Sequence, residues 1–350
     1  MLLPRLTNVI KILSGYVISR LIRRVVHAGK PIAVSIEPTN SCNLHCPECP
    51  SGLRELSRPR GMMTMQTFRT IIDQLSPELA YLTLYFQGEP FMNNRFNEMV
   101  TYAKSKDIFV SSSTNGQFMD QEMARRTVKS GLNRLVFSLD GTDQTSYGSY
   151  RIGGSFEQVK QGISHLVEAR RNARTALPKI IIQFLVLKTN EHQIKEIKLL
   201  GRSLSADKVE IKTAQFYDYA HGNPLMPENF RYSRYRRTGG RVDGRTGGQA
   251  DGRTGGQANG RTSFYVLKNR LPRHCFRMWS GCVFTWDGKI VPCCYDKDAT
   301  HQLGDMNLQP FADIWKSEKY RDFRQQILQN REMIEICQNC SEGMGMSAIW

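Results

Sequence analysis

The chain has 350 residues, 40% of them hydrophobic and including 16 Phe, 13 Tyr and 4 Trp, which supplies a sizeable core and excludes a disordered protein. A formal charge of +16 suggests nucleic acid until it is placed along the chain: residues 1–30 hold six Lys or Arg and no acid, residues 231–262 are net +6, and the other 288 residues carry only +4. That is too little for a phosphate-binding face on the folded body, so nucleic acid is not the expected partner. The nine cysteines fall into two groups, three within 42–49 and six within 275–340, which argues for metal ligation in a reducing compartment, the cytoplasm, rather than a disulfide scaffold.

In chain order, Leu6, Ile10, Leu13, Val17, Leu21 and Val25 recur at helical steps and predict an amphipathic helix over 5–27, within a segment 1–31. Lys11 and Arg20 interrupt its apolar run, so neither an export signal nor a span is expected, since a span takes about 20 apolar residues. Such a helix either packs on the main domain or makes peripheral contact with an anionic membrane. From residue 32 to 230, apolar runs at 33–37, 81–86, 108–113, 134–139, 179–187 and 208–213 alternate with segments of helical periodicity at Met65–Leu75, Glu98–Ser105, Gln121–Ser130 and Phe156–Asn172. This is the pattern of an α/β fold with a parallel sheet, here a partial (β/α)6 TIM-like barrel. In such barrels chemistry collects at the C-terminal strand ends, where Cys42, Gly88-Glu89-Pro90, Thr114-Asn115-Gly116 and Asp140-Gly141 fall.

Residues 237–260 are three tandem octads, RTGGRVDG, RTGGQADG and RTGGQANG, with too few apolar residues to stack, so 231–263 is expected to be a flexible Gly/Arg-rich linker or basic tether. Residues 264–350 form a small α+β unit: a β-hairpin within Trp279–Val291 around Asp287-Gly288, then a helix over Ile314–Asn330 leading to Cys337 and Cys340.

Cys42-x3-Cys46-x2-Cys49 lies in the loop after the first strand. Three thiolates do not complete a structural zinc shell unless His45 is the fourth ligand, whereas a 4Fe-4S cluster on three cysteines keeps one iron open to an outside ligand. Four further cysteines, Cys275, Cys293, Cys337 and Cys340, suit a fully ligated 4Fe-4S cluster or a zinc site.

The first motif, with Gly88-Glu89-Pro90 one strand later, resembles the radical S-adenosylmethionine (radical SAM) superfamily, and the C-terminal pattern, with Trp286–Cys294, resembles its SPASM or twitch modules. The resemblance implies that the open iron on Cys42, Cys46 and Cys49 chelates S-adenosylmethionine, which is split to methionine and a 5'-deoxyadenosyl radical that abstracts hydrogen from substrate. It implies that Gly88, Glu89 and Pro90 hold the cofactor's ammonium and that Ser112, Thr114, Asn115, Ser138 and Asp140 lie where ribose and methionine contacts occur; Arg151 suits the cofactor carboxylate, and Gln183, among apolar neighbours in strand five, is expected to face the barrel lumen as a further cofactor-binding candidate. Glu48 stands where the family usually has an aromatic residue, and Gln87 where it often has glycine. The C-terminal cysteines would hold one auxiliary 4Fe-4S cluster, assisting redox or substrate binding. Cys282 and Cys294 are left over, as buried apolar residues or as hydrogen-atom donors to a substrate radical. The substrate class implied is a peptide or protein, or a small polar metabolite, with flavodoxin or ferredoxin as reductant. The competing class is a non-catalytic iron-sulfur or zinc scaffold or electron carrier.

Overall fold

The computed structural model describes residues 2–238, 264–269 and 271–340. In chain order its elements are α1 (Leu2–Ile22), β1 (Ala33–Ile36), α2 (Pro50–Leu53), α3 (Met65–Leu75), β2 (Tyr81–Thr83), α4 (Phe96–Ser105), β3 (Phe109–Thr114), α5 (Gln121–Lys129), β4 (Arg134–Ser138), α6 (Gln144–Tyr150), α7 (Phe156–Asn172), β5 (Lys179–Val186), α8 (Ile194–Ser203) and β6 (Lys208–Thr213). After these come β7 (Tyr235–Arg237), β8 (Tyr265–Leu267), α9 (Arg277–Ser280), β9 (Gly281–Phe284), β10 (Lys289–Val291), β11 (Gly304–Asp305), α10 (Phe311–Lys316), α11 (Glu318–Asn330) and α12 (Glu335–Gln338).

Strands β1 to β6 pair in parallel in sequence order, the partial barrel that the alternation predicts. Alternate residues divide between the two faces. In β5, Ile180, Ile182, Phe184 and Val186 are buried in the main core, while Ile181 and Gln183 line the lumen. The outer helices start on side-chain caps: Thr64, Asp120 and Ser155 accept from the third residue of α3, α5 and α7, satisfying a donor each helix would otherwise leave open. Helix α6 has no apolar periodicity in QTSYGSY, but Asp143 and Ser146 form a capping box that starts it.

The C-terminal unit is continuous with the barrel. Strand β9 pairs in parallel with β1, Ala33 opposite Gly281, and β10 and β11 follow antiparallel, so the hairpin extends one nine-stranded sheet. Gly281 is needed there, because a Cβ would stand 2.4 Å from the Ala33 carbonyl oxygen. The buried Glu37 carboxylate, gripped by Arg58 at 2.5 and 2.6 Å, also accepts from the Trp286 backbone N–H at 3.1 Å and ties the hairpin to the loop after β1. The hairpin begins two residues later than the aromatic pattern suggests, because Trp279 and Ser280 belong to α9. The helix expected over 314–330 is two, since Ser317 leaves helical geometry and its hydroxyl caps α11.

Residues 235–237, read from composition as part of a linker, pair as β7 with β8 across the octad segment. The octads from residue 239 onward lie outside the described residues.

Candidate active site

The loop after β1 carries the first three cysteines and is fastened on both sides. Asn40 donates to the Pro59 carbonyl (2.8 Å) and accepts from the Gly61 N–H (3.0 Å), and Asn93 donates to the Pro38 carbonyl (2.8 Å). Within it, Cys49 N–H donates to the Cys46 carbonyl (3.2 Å), and the Cys42 sulfur accepts from Leu44 N–H at 3.5 Å and from Asn115 Nδ2 at 3.9 Å. The three thiols are electrostatic neighbours, and burial pushes Cys42 up to about 11 and raises Cys46. Left to themselves Cys42 and Cys46 hold their protons, so a bound cationic centre is what would keep them as thiolates. His45 Nδ1 faces the Gly52 carbonyl at 3.2 Å. Among the described residues, no three His, Cys, Asp or Glu side chains converge on a point where a single ion would sit.

The Gly88-Glu89-Pro90 loop presses directly on the cysteine loop. Gly88 has φ +72°, and a Cβ there would lie 2.6 Å from the carbonyl oxygens of Thr39 and Ser41, so the approach requires glycine. Glu89 N–H donates to the Ser41 carbonyl at 2.8 Å. The Glu89 side chain, for which the resemblance implies a hold on a ligand ammonium, is turned inward and 2% exposed. One oxygen accepts from Thr114 Oγ1 (2.8 Å) and Phe91 N–H (3.2 Å), the other from Asn115 N–H (2.7 Å). Burial lifts this carboxyl to about 7 against those donors. Glu89 thus joins the β2 and β3 ends, and Pro90 starts a short 3-10 turn behind it.

Other expected contacts divide in the same way. Ser112 is fully buried and donates to the Leu84 carbonyl (2.8 Å), a bond between strands. Asn115 reaches the cysteine loop, its Nδ2 donating to Asn43 Oδ1 at 2.8 Å, while Thr114 is held by Glu89 and accepts from Gly116 N–H at 3.0 Å. Asp140, also fully buried, accepts from Arg151 Nε on one oxygen (2.6 Å) and from Leu185 N–H on the other (2.6 Å). Arg151 is not a surface arginine: it lies between Asp140 and the Cys46 sulfur (3.7 Å). Ser138 is buried in register with Gln183, and Gln183 faces the lumen as expected. Glu48 replaces the usual aromatic residue and holds the segment after β6, accepting from Asn223 Nδ2 at 2.7 Å.

The lumen is a cavity of about 670 Å³. Its wall is more charged than the strand readings anticipate: Arg134, Lys208, Glu210, Lys212 and Arg277 all line it. Arg134 donates to Ser111 Oγ at 2.9 Å and to the Tyr81 hydroxyl, while Lys208 and Lys212 flank Glu210. The signal was available in the alternation of Arg134-Leu-Val-Phe-Ser and Lys208-Val-Glu-Ile-Lys, which places charge at the inward positions of a covered sheet.

On the same wall stand Cys282 and Cys293. Cys293 with Cys275, Cys337 and Cys340 also surrounds a second, small cavity between α9, α11 and α12, so the four separated cysteines do come together. Beside them Arg331, 1% exposed, donates to the Cys340 sulfur at 3.4 Å and to the His274 carbonyl at 2.6 Å. A buried guanidinium among four thiols fits a centre carrying net negative charge, as a cluster on four thiolates does. Sequence reading passed over Arg331, which looks like any helix-end arginine. Of the two remaining cysteines, Cys282 is 5% exposed with its thiol pushed far up by burial, and Cys294 accepts from Arg277 at 3.3 Å.

Residues 36–200 match the Radical SAM superfamily, and residues 275–341 match SPASM, an iron-sulfur cluster-binding domain. The chain is 26% identical over 327 residues to the tungsten-containing aldehyde ferredoxin oxidoreductase cofactor-modifying protein of Pyrococcus furiosus, covering 87% of this chain and 86% of that protein. It is 30% identical over 200 residues to the PqqA peptide cyclase of Gluconobacter oxydans, covering 56% and 54%. The solved structure of native anSMEcpe with bound AdoMet shares the fold at TM-score 0.58 and 14% identity, covering 91% of this chain and 93% of that one. The matched families imply iron-sulfur clusters, where cysteine counting leaves zinc open. The chain belongs to the radical SAM superfamily, with a C-terminal SPASM domain, and is an enzyme whose cofactors are S-adenosylmethionine and iron-sulfur clusters.

Proposed function

We propose that Cys42, Cys46 and Cys49 hold the 4Fe-4S cluster that binds S-adenosylmethionine, that Cys275, Cys293, Cys337 and Cys340 hold one auxiliary 4Fe-4S cluster, and that the enzyme activates a carbon-hydrogen bond of a substrate bound in the lumen. When bound, the first cluster and S-adenosylmethionine supply, for one electron, methionine and a 5'-deoxyadenosyl radical able to take a hydrogen atom. The chain's own residues prepare that event. Gly88 lets the β2 loop close on the cysteine loop, and the buried Glu89, which also holds Thr114, fixes Asn115 beside Cys42. Asp140 orients Arg151 so that its positive charge lies against Cys46, where a thiolate would need it. Gln183 is the lumen residue nearest in role to a cofactor contact, and Ser138 stands beside it.

The observation that carries the reading is that Cys293 and Arg277 line both the lumen and the C-terminal cysteine cavity. The auxiliary centre therefore borders the substrate space, where it either takes the substrate's electron or anchors the substrate. Charged walls support a polar substrate, and the named relatives support a peptide or a small metabolite-like cofactor. Cys282 faces the same space and is the better placed of the two spare cysteines to donate hydrogen. The electron comes from a flavodoxin or ferredoxin in the cytoplasm, where the nine free cysteines stay reduced.

Anaerobic reconstitution with iron and sulfide is expected to load about eight irons per chain. Addition of reductant and S-adenosylmethionine should then release 5'-deoxyadenosine. No product from the wild type overturns the reading.

A further inference from the structure

Helix α1 has two faces of opposite character. Toward the protein it turns Asn8, Ile12, Gly15, Tyr16 and Ser19, all buried. That face is fastened largely by polar and aromatic contacts. Asn8 exchanges two hydrogen bonds with the Lys30 backbone (2.8 and 2.9 Å), the Tyr16 hydroxyl pairs with His274 Nδ1 (2.8 Å), and the Tyr16 ring meets Phe276 and Trp279 edge-on. Arg5 reaches Asp107 on the barrel at 3.1 Å. The helix is thus docked across the barrel and the C-terminal unit at once.

Its larger apolar residues point the other way. Leu3, Leu6, Ile10, Val17 and Leu21 follow one another at helical steps and are 75, 56, 60, 49 and 77% exposed. Ile18 and Ile22 widen the stripe. Docking alone would have buried these side chains, so the exposed stripe needs a partner outside the fold. Its chemistry is marked by charge: Lys11, Arg20, Arg23 and Arg24 are exposed around it, and among the described residues no salt bridge engages them. Residues 1–30 contain no acid. A second copy of the chain would bring these cations together across the stripe, whereas an anionic bilayer accepts them at its phosphates while the stripe enters the acyl boundary. No helix among the described residues is long and apolar enough to cross a membrane.

We infer that α1 lays the enzyme on an anionic membrane surface, with the Leu3–Leu21 stripe in the headgroup boundary and the docked face holding the catalytic body in fixed orientation. The test is flotation of the full reconstituted chain with vesicles of phosphatidylcholine alone and with about one third phosphatidylglycerol. The wild type is expected to float with the anionic vesicles, to stay behind with the neutral ones, and to lose binding in about 0.5 M salt. The triple variant Leu6→Ser, Ile10→Ser, Val17→Ser should lose binding about tenfold or more, while its 5'-deoxyadenosine formation in solution matches wild type because none of the three belongs to the core or to the residues packed against it. Three results overturn the inference: no flotation with either vesicle, equal flotation of the triple variant, or a wild-type dimer that the same variant converts to monomer without any vesicle binding.

Discussion

The two cysteine groups solve the same problem in opposite ways. The first three thiols lie within eight residues, and their positions are set by one loop that neighbouring strand ends clamp in place through Asn40, Asn93, Gly88 and Asn115. The other four are spread over 66 residues and are gathered only when α9, β10, α11 and α12 fold around them, with Arg331 buried at their side. A local loop can leave one coordination position open without losing its shape. A site closed by distant elements needs all its ligands, because the centre is also what holds those elements together. On the proposed assignment the first group suits exchange with a ligand and the second permanence.

Substitutions on each side sharpen this contrast. Cys46→Ala should abolish 5'-deoxyadenosine formation altogether while retaining about half the iron, measured by product chromatography and iron assay; undiminished product would break the assignment. Cys337→Ala should also lose about half the iron yet leave cofactor cleavage detectable. Loss of both centres together would show that the C-terminal site supports the barrel more than the comparison allows. Arg331→Met is expected to weaken the auxiliary centre alone, lowering its share of the visible iron-sulfur absorbance with cofactor cleavage retained. The smallest effect concerns the joint between α1 and the C-terminal unit. Burial holds His27, packed edge-on to Trp315, at about 3 against an ordinary 6.5. The unfolded chain binds that proton first as pH falls, so stability is full above about 6.5 and is lost on acidification toward 3. Wild type should lose about 2 kcal/mol more than His27→Gln between about pH 7 and pH 5, by parallel denaturant melts of the two proteins; equal losses would mean that the ring is solvated.

The barrel was legible because period and punctuation agreed. The six runs coincide with β1 to β6 within a few residues, and Met65–Leu75 and Phe156–Asn172 are helices with those bounds. Helix α6 was not, since its start depends on a capping box and its residues carry no apolar period. Nor was the pairing of β9 with β1, a contact across some 250 residues that only a glycine at the crossing hints at. At the site, residue type was readable and direction was not. Glu89 and Asp140 follow strands as expected and Ser112 lies within β3, but their polar atoms turn toward neighbouring strands and loops, because a buried acid or hydroxyl must find donors and acceptors within the protein. Arg134 and Arg331 were missed for the converse reason: an arginine looks like surface until folding encloses it.

The central claim is that the N-terminal centre has an open coordination position and the C-terminal centre does not. Electron paramagnetic resonance of the anaerobically reduced protein, with and without S-adenosylmethionine, tests it most directly. The account predicts two reduced cluster signals, of which one shifts on adding the cofactor, persists in Cys337→Ala and vanishes in Cys46→Ala. A spectrum unmoved by the cofactor, or a shift that survives Cys46→Ala, would contradict it.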